Sequence, residues 1–529
     1  MRTRILFVLL AAATVPYFVN LGASSIWDAN EAFYAQTPRE MIDASDYVNP
    51  SFNFQLRYNK PVLSYWEVAA SYRMFGVSEW AERLPIAIGG VVLVLTAFGL
   101  GQMMAGTEAG LLAALVLATS PRVLLLARRI IIDVQLAMFT GLVLLGFALA
   151  EIRPSRRRYL ILMYVAAGFG VLAKGPVAVL LPAVVFVLYL ASQKRLGDLR
   201  RMMLPMGAAI GLAIVLPWYF MVYREHGWEY IKSFVFGENL GRYAEAVGEQ
   251  SRGILFYIPV MFADLFPWSL FIPIGLWWAF RDRSNRVARL LLIWIAAIVV
   301  FFSLSGTKED LYIFPIVPAE AALVGAVIAK STGPVRWIAL ATAVLLALAG
   351  AAAFWVFAVS HRYALHGVSA AGAVAAIGGI GAAVAAVRRH ALASAAVVAA
   401  TLAVISWCIV LATLPDFERY KPVRPFSAII RSRASPGAIV GSYKFALPSM
   451  VYYLNRPIME VVLPDHLRAV FYSSSDIYFV MSEPEYDGIK SRLPAKTFVL
   501  ARQPMFDLRP KNFLNGSELI EFVLISNRP

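Results

Sequence analysis

Residues 27–83 read WDANEAFYAQTPREMIDASDYVNPSFNFQLRYNKPVLSYWEVAASYRMFGVSEWAER, between two apolar spans at 5–22 and 84–101. The stretch is too polar to lie in lipid, where each charge is costly. It is also too rich in aromatic and apolar residues to be a solvated linker. It therefore predicts a folded loop at a membrane surface, carrying acids (Asp28, Glu31, Glu40), cations (Arg39, Arg57, Lys60) and amphipathic rings. Asp43, Asp46 and Asn49-Pro50 supply turns, and a short amphipathic helix begins near Ala32 and closes at Met41. A second helix over 64–75 is expected along the interface, with Tyr65, Trp66 and Tyr72 as anchors.

Working outward, the 529 residues are 60% hydrophobic and 15% charged, with mean hydropathy +0.66. That profile excludes an ordinary soluble enzyme and fits a polytopic membrane protein. The net charge of +15 is accounted for by cytoplasmic loops rich in Lys and Arg, so no nucleic acid is expected as a partner. Cys408 is the single cysteine and lies in an apolar span, so neither a disulfide framework nor a cysteine metal site is expected. The first residues resemble a cleaved signal peptide, but the topology closes only if they stay as a span.

Thirteen apolar segments approach the roughly 20 residues a crossing needs: 3–22, 84–104, 108–125, 134–151, 159–173, 176–192, 204–222, 255–279, 287–304, 312–329, 336–358, 369–387 and 391–412. With the N-terminus cytoplasmic, the inner loops hold 18 Lys and Arg and the short outer loops 6, the asymmetry expected of that orientation. Both long loops, 23–83 and 223–254, then face outward, as does the tail. After Pro415 the runs AIVGSY, PIMEVV, DIYFVM, TFVLAR and LIEFVLIS alternate with helix-like stretches. They predict a small α/β domain without a nucleophile, metal or phosphate motif. The expected fold is thus a polytopic α-helical membrane domain over 1–414, with about 13 transmembrane helices, and an extracytoplasmic α/β domain over 415–529.

In order, NEAFYAQTPREM, DYVNPSFN, RYNKPVLSYW and FGVSEWAERLP resemble the first extracytoplasmic loop of bacterial GT-C glycosyltransferases. The branch they resemble is the aminoarabinose-transferase (ArnT-type) and protein-O-mannosyltransferase-like one. The resemblance implies a GT-C fold in the bacterial inner membrane. It also implies transfer of a sugar from an undecaprenyl-phosphate donor, with inversion, to a lipid or envelope-glycan acceptor such as lipid A at the outer face. Three tasks follow: a carboxylate to meet the acceptor, cations to hold the phosphate, and a groove for the isoprenoid among the membrane lipids.

The acid candidates are Asp28, Glu31 and Asp133. Aligning Tyr34-Ala35 and Arg39-Glu40-Met41 with the family motif puts Asn30-Glu31 on an Asp-Glu pair, so the expected Asp is an Asn here. Either Asp28 or Glu31 supplies the carboxylate, or none is needed because a phosphate acceptor is already ionised. Asp28 has the competing role of a helix cap. Asp133, in ARRIIIDVQLAMF, sits where an outer loop re-enters the membrane; it resembles the family's second acid, with a helix cap or an ion pair to Arg128 or Arg129 as the alternative. On the phosphate side, the resemblance implies Lys60 in NKP, where Asn59 replaces a family Glu. It also implies Arg242 in FGENLGRYAE, with Glu238 one turn earlier to orient it, and Tyr312 in SGTKEDLYIFPIVP with Lys308 nearby. Lys174 in LAKGPVAVLLP matches a Lys-Gly-Pro. The bland alternative for each is an interfacial side chain that snorkels or anchors.

No His pair at metal spacing occurs, so no metal is predicted and a divalent cation is left open. A protein hydroxyl is the competing acceptor. Outside enzymes, the competing class is a lipid-linked-sugar flippase or transporter, which would carry ionisable groups or broken helices near mid-membrane. The span centres read as nearly free of charge.

Overall fold

The computed structural model describes residues 2–529 apart from 58, 154–155, 235–236, 238–240, 242–251, 332, 360–364, 389 and 507–518. The chain falls into two compact units, each assembled from separated stretches.

The first unit, Met1–Leu21, Tyr58–Glu67 and Arg83–Ala412, is helical. Among the described residues, eight helices are long and apolar enough to cross a membrane: Glu79–Ala105, Ile132–Ile152, Leu204–His226, Arg286–Ser303, Asp310–Lys330, Gly333–Val359, His366–Val387 and Ala391–Tyr420. The other expected spans coincide with the shorter apolar helices Thr3–Tyr17, Thr107–Ala118 and Val177–Ser192, with Arg156–Lys174, and with a broken pair. In that pair Tyr257–Asp264 and Trp268–Arg281 are bent by 114°. Pro267 lies in the break, and a proline can neither donate its backbone bond nor fit the preceding turn. Small residues set some of the closest helix approaches: a methyl on Gly379 would sit 2.7 Å from the Ala343 carbonyl oxygen. The chain is a multi-pass membrane protein.

The span interiors are less empty than their sequences suggest. Asp264 and Glu320 are both fully buried, and the 255–279 span is broken. Each of the spans 255–279 and 312–329 has a single acid among its apolar residues, so averaged hydropathy hides it.

The second unit gathers Gly22–Arg57, Val68–Glu82 and Thr413–Pro529. Most of the first loop therefore groups with the tail rather than with the helices. Long-range hydrogen bonds account for this. The Ile26 backbone N–H donates to the Tyr453 hydroxyl (2.8 Å), and the Arg39 guanidinium donates to the Tyr452 carbonyl (3.2 Å). The Asn53 amide both donates to and accepts from the Ile458 backbone (2.9 and 2.8 Å).

Each of the five β-rich runs contains a strand: β3 (Ile439–Tyr443), β4 (Met459–Val461), β5 (Ile477–Ser482), β6 (Phe498–Phe506) and β7 (Leu519–Ser526). The sheet order is β4-β3-β5-β7-β6, with β3 parallel to β4 and β5, and β7 antiparallel to β5 and β6. Ile477, Phe479 and Met481 share one face by the two-residue period of a strand and pack with Leu467, Phe471 and Ile525 in the core. A two-stranded hairpin, β1 (Ser51–Phe52) with β2 (Gln55–Leu56), completes the first loop.

The first-loop helix runs Asn30–Ala44, longer than expected at both ends, and stops at Ser45 in the left-handed region (φ 54°). The second runs Leu63–Phe75. Two of its three rings do not serve as interfacial anchors: Tyr65 and Tyr72 are buried, whereas Trp66 keeps partial exposure, and the Tyr72 hydroxyl donates to the Ala35 carbonyl (3.0 Å).

Candidate active site

In the first unit, several expected residues meet where helices begin and end. Asp133 lies in the first turn of Ile132–Ile152, and Lys174 in the last turn of Arg156–Lys174. An acid at a helix start and a cation at a helix end each complement the helix dipole, and here the two form an ion pair. Gly175 ends the Lys174 helix with φ +98°, a conformation glycine adopts without steric cost, and Pro176 prevents its continuation. Both side chains keep partial exposure, 15% for Asp133 and 14% for Lys174. The Lys174 ammonium also lies 5.4 Å from the centre of the Tyr312 ring, within cation–π range.

Tyr312 sits on a 3-10 turn, Asp310–Ile316, that is held from two sides. Arg122 binds both Asp264 (2.7 Å) and Asp310 (2.5 Å), and the Tyr257 hydroxyl donates to the Glu309 carbonyl (3.1 Å). The Tyr312 ring rests on Phe302, centroids 5.1 Å apart.

The segment bearing Lys60 is tied to the same region. The Tyr230 hydroxyl donates to the Lys60 carbonyl (3.0 Å). One turn further on, the Ser64 hydroxyl donates to the Gln135 side-chain oxygen, and the Gln135 amide nitrogen donates to the Glu67 carboxylate. Gln135 lies two residues beyond Asp133, so one amide links the start of the Leu63–Phe75 helix to the start of the Asp133 helix. Burial pushes the Glu67 carboxyl up to about 7, against the opposing effect of the Gln135 bond. Glu67 was not a sequence candidate. Its signal is a lone acid in the otherwise uncharged run PVLSYWEVAASY.

Lys308 is placed differently from an exposed interfacial cation. It is 7% exposed and its ammonium donates to the Ser305 carbonyl (2.6 Å), pinning its own turn. Arg242 and Glu238 lie outside the described residues.

The remaining candidates belong to the second unit. Asp28 accepts from the Ser449 backbone N–H and hydroxyl, both at 2.6 Å. It therefore caps the helix Ser449–Leu454, not the helix that follows it in sequence. Burial raises the Asp28 carboxyl to about 6, against the Ser449 bonds, and solvent still reaching the residue tempers that shift. Glu31 is 2% exposed and accepts from the Trp27 N–H (2.7 Å). Asn30 opens the helix and is exposed, whereas Tyr34 is buried. The motif Arg39-Glu40 is scaffolding here: Glu40 accepts from the Ser51 hydroxyl (2.6 Å) and the Phe54 N–H (3.1 Å), holding the hairpin. Among the described residues no three His, Cys, Asp or Glu side chains group as metal ligands would.

Residues 59–220 match the family described as dolichyl-phosphate-mannose-protein mannosyltransferase. The chain is 30% identical over 323 residues to undecaprenyl phosphate-α-4-amino-4-deoxy-L-arabinose arabinosyl transferase 2 of Pseudomonas fluorescens, a match covering 60% of this chain and 55% of the relative. It is 29% identical over 311 residues to the arabinosyl transferase of Pseudomonas savastanoi, covering 58% of each. In both cases the match spans little more than half of the relative's length. The crystal structure of ArnT from Cupriavidus metallidurans bound to undecaprenyl phosphate superposes with a TM-score of 0.83 at 24% identity, over 100% of this chain and 98% of that one. The chain shares the fold of that ArnT structure over its whole length.

Proposed function

We propose that the protein is an inner-membrane glycosyltransferase that moves a sugar from an undecaprenyl-phosphate donor to a lipid or envelope-glycan acceptor, lipid A first among them. The single observation that carries this reading is the meeting of Asp133, Lys174 and Tyr312 on a fold shared throughout with an undecaprenyl-phosphate-bound structure. The outer loops and tail face the periplasm and the N-terminus the cytoplasm, in line with the Lys and Arg asymmetry.

In this account an acceptor oxygen attacks the sugar C1. The new C–O bond forms as the bond from C1 to the phosphate oxygen breaks, and the electron pair leaves on undecaprenyl phosphate. One displacement inverts the anomeric carbon. Lys60, Lys174 and Arg242 neutralise the growing phosphate charge, the largest electrostatic demand of the step, and Tyr312 donates a hydrogen bond. Asp133 stays paired with Lys174 and holds its ammonium for the arriving phosphate. Glu31 and Asp28 belong to the second unit and are each engaged there, by the Trp27 N–H and by Ser449.

The test is incubation of the purified protein in lipid with a panel of undecaprenyl-phosphate sugars, with and without lipid A, and mass spectrometry of released undecaprenyl phosphate. Acceptor-dependent release is expected; its absence with every donor would refute the reading. Two specific observations favour alternatives. The mannosyltransferase match over 59–220 favours a protein acceptor, which a peptide arm of the assay addresses. The broken span and buried Asp264 and Glu320 favour transport of the lipid-linked sugar, which would move the donor across vesicles without releasing undecaprenyl phosphate.

A further inference from the structure

We propose that Glu67 is the carboxylate that takes the proton from the acceptor, a role that rests on the glycosyltransferase reading above. The acids at the outer helix ends differ in their partners. Asp133 is paired with Lys174, and Asp310 with Arg122. A carboxylate with a cation at bonding distance is already engaged by it. Glu67 has no such partner among the described residues; its contact is with the neutral Gln135 amide. That amide is itself fixed, since its oxygen accepts from Ser64 and the side chain is buried.

Glu67 is thus aimed by a rigid neutral donor while part of the residue stays accessible. It is held against the start of the helix that presents Asp133, and it lies on the segment that presents Lys60. Asp133 lies two residues from Gln135, and Lys60 lies on Glu67's own segment; neither is a cause of its raised affinity for protons, which comes from burial. A carboxyl titrating near neutrality is matched to general-base work at physiological pH. Asn30 and Asn59 are amides and cannot take a proton.

In the step itself the acceptor O–H bond breaks, its proton passes to a Glu67 oxygen, and the acceptor oxygen bonds to C1 as undecaprenyl phosphate departs with the electron pair. The assignment implies an acceptor oxygen that arrives protonated: a sugar hydroxyl or a phosphate monoester in its monoanionic form.

The experiment is the pH profile of turnover in proteoliposomes, using the undecaprenyl-phosphate sugar that the wild type accepts. Wild-type kcat should rise with pH through about 7 and then level off, because the base works only when deprotonated. Glu67→Gln should lower kcat roughly 10²-fold and abolish the acid limb, with binding of undecaprenyl phosphate unchanged. Glu67→Asp should restore part of the rate and the limb. Gln135→Met, which removes the donor stabilising the ionised form, should move the limb to higher pH. Glu67→Gln with wild-type kcat and an unchanged limb would overturn the assignment while leaving the glycosyltransferase reading intact. Should Glu67→Gln not fold, a Gln135→Met limb that stays in place overturns it instead. A wild type that releases undecaprenyl phosphate from no donor overturns both.

Discussion

Lys174 and Asp133 illustrate how a residue's neighbours decide what its type can do. Both sit at helix ends where the backbone favours their charge, and both were legible as a lone cation in a tight turn and a lone acid at a membrane re-entry. Lys174→Met removes the ammonium from beside Asp133 and Tyr312. We expect turnover to fall about 10²-fold, the usual cost of deleting one donor to a developing anion, with weaker retention of undecaprenyl phosphate; steady-state assays and a lipid-binding titration measure the two. Asp28 carries the opposite lesson. Its partner Ser449 is 421 positions away, and no local pattern reveals that. Asp28→Ala should cost about 1 kcal/mol of stability as a lost helix cap, read as a lower melting temperature, while turnover per folded molecule is kept. Glu67 escaped notice because a single acid in an apolar helix looks like an exposed position until the facing helix supplies Gln135.

At the scale of elements, the 3-10 turn Asp310–Ile316 is positioned by charge rather than by propensity. Arg122 joins it to Asp264 at the bend of the broken span. Because Asp264 is fully buried, removing its cation strands a charge away from water. Arg122→Gln should therefore destabilise the fold by roughly 3–5 kcal/mol, and Arg122→Gln with Asp264→Asn should recover much of that loss; chemical denaturation in detergent compares them. Helix and strand positions were largely readable, because apolar length and two-residue alternation are local properties. The bend and the buried acids were not, since proline and a single carboxyl barely change a window of some 20 residues. The expected anchoring by Tyr65 and Tyr72 failed for a related reason: amphipathic rings suit a lipid interface and a protein interior equally well.

Over the whole molecule, the charge asymmetry of the loops gives the orientation a direct test, helped by the presence of only one native cysteine, Cys408. In a Cys408→Ser background, Ser474→Cys in the tail should react with an impermeant maleimide added outside intact spheroplasts. Arg157→Cys should react only after the membrane is permeabilised. Reversed labelling would invert the assigned topology. The division into two units was half legible: the change in composition near 415 marks one boundary, but the first loop's bonds to the tail pair residues hundreds of positions apart. In the proposed function, the outward ends of the helices grip a lipid phosphate so that its sugar can be transferred. Mass spectrometry of undecaprenyl phosphate released from its sugar conjugates tests this most directly. We expect acceptor-dependent release by the wild type and little by Lys60→Ala or Lys174→Met; equal release by all three proteins, or none by the wild type, would rule the proposed function out.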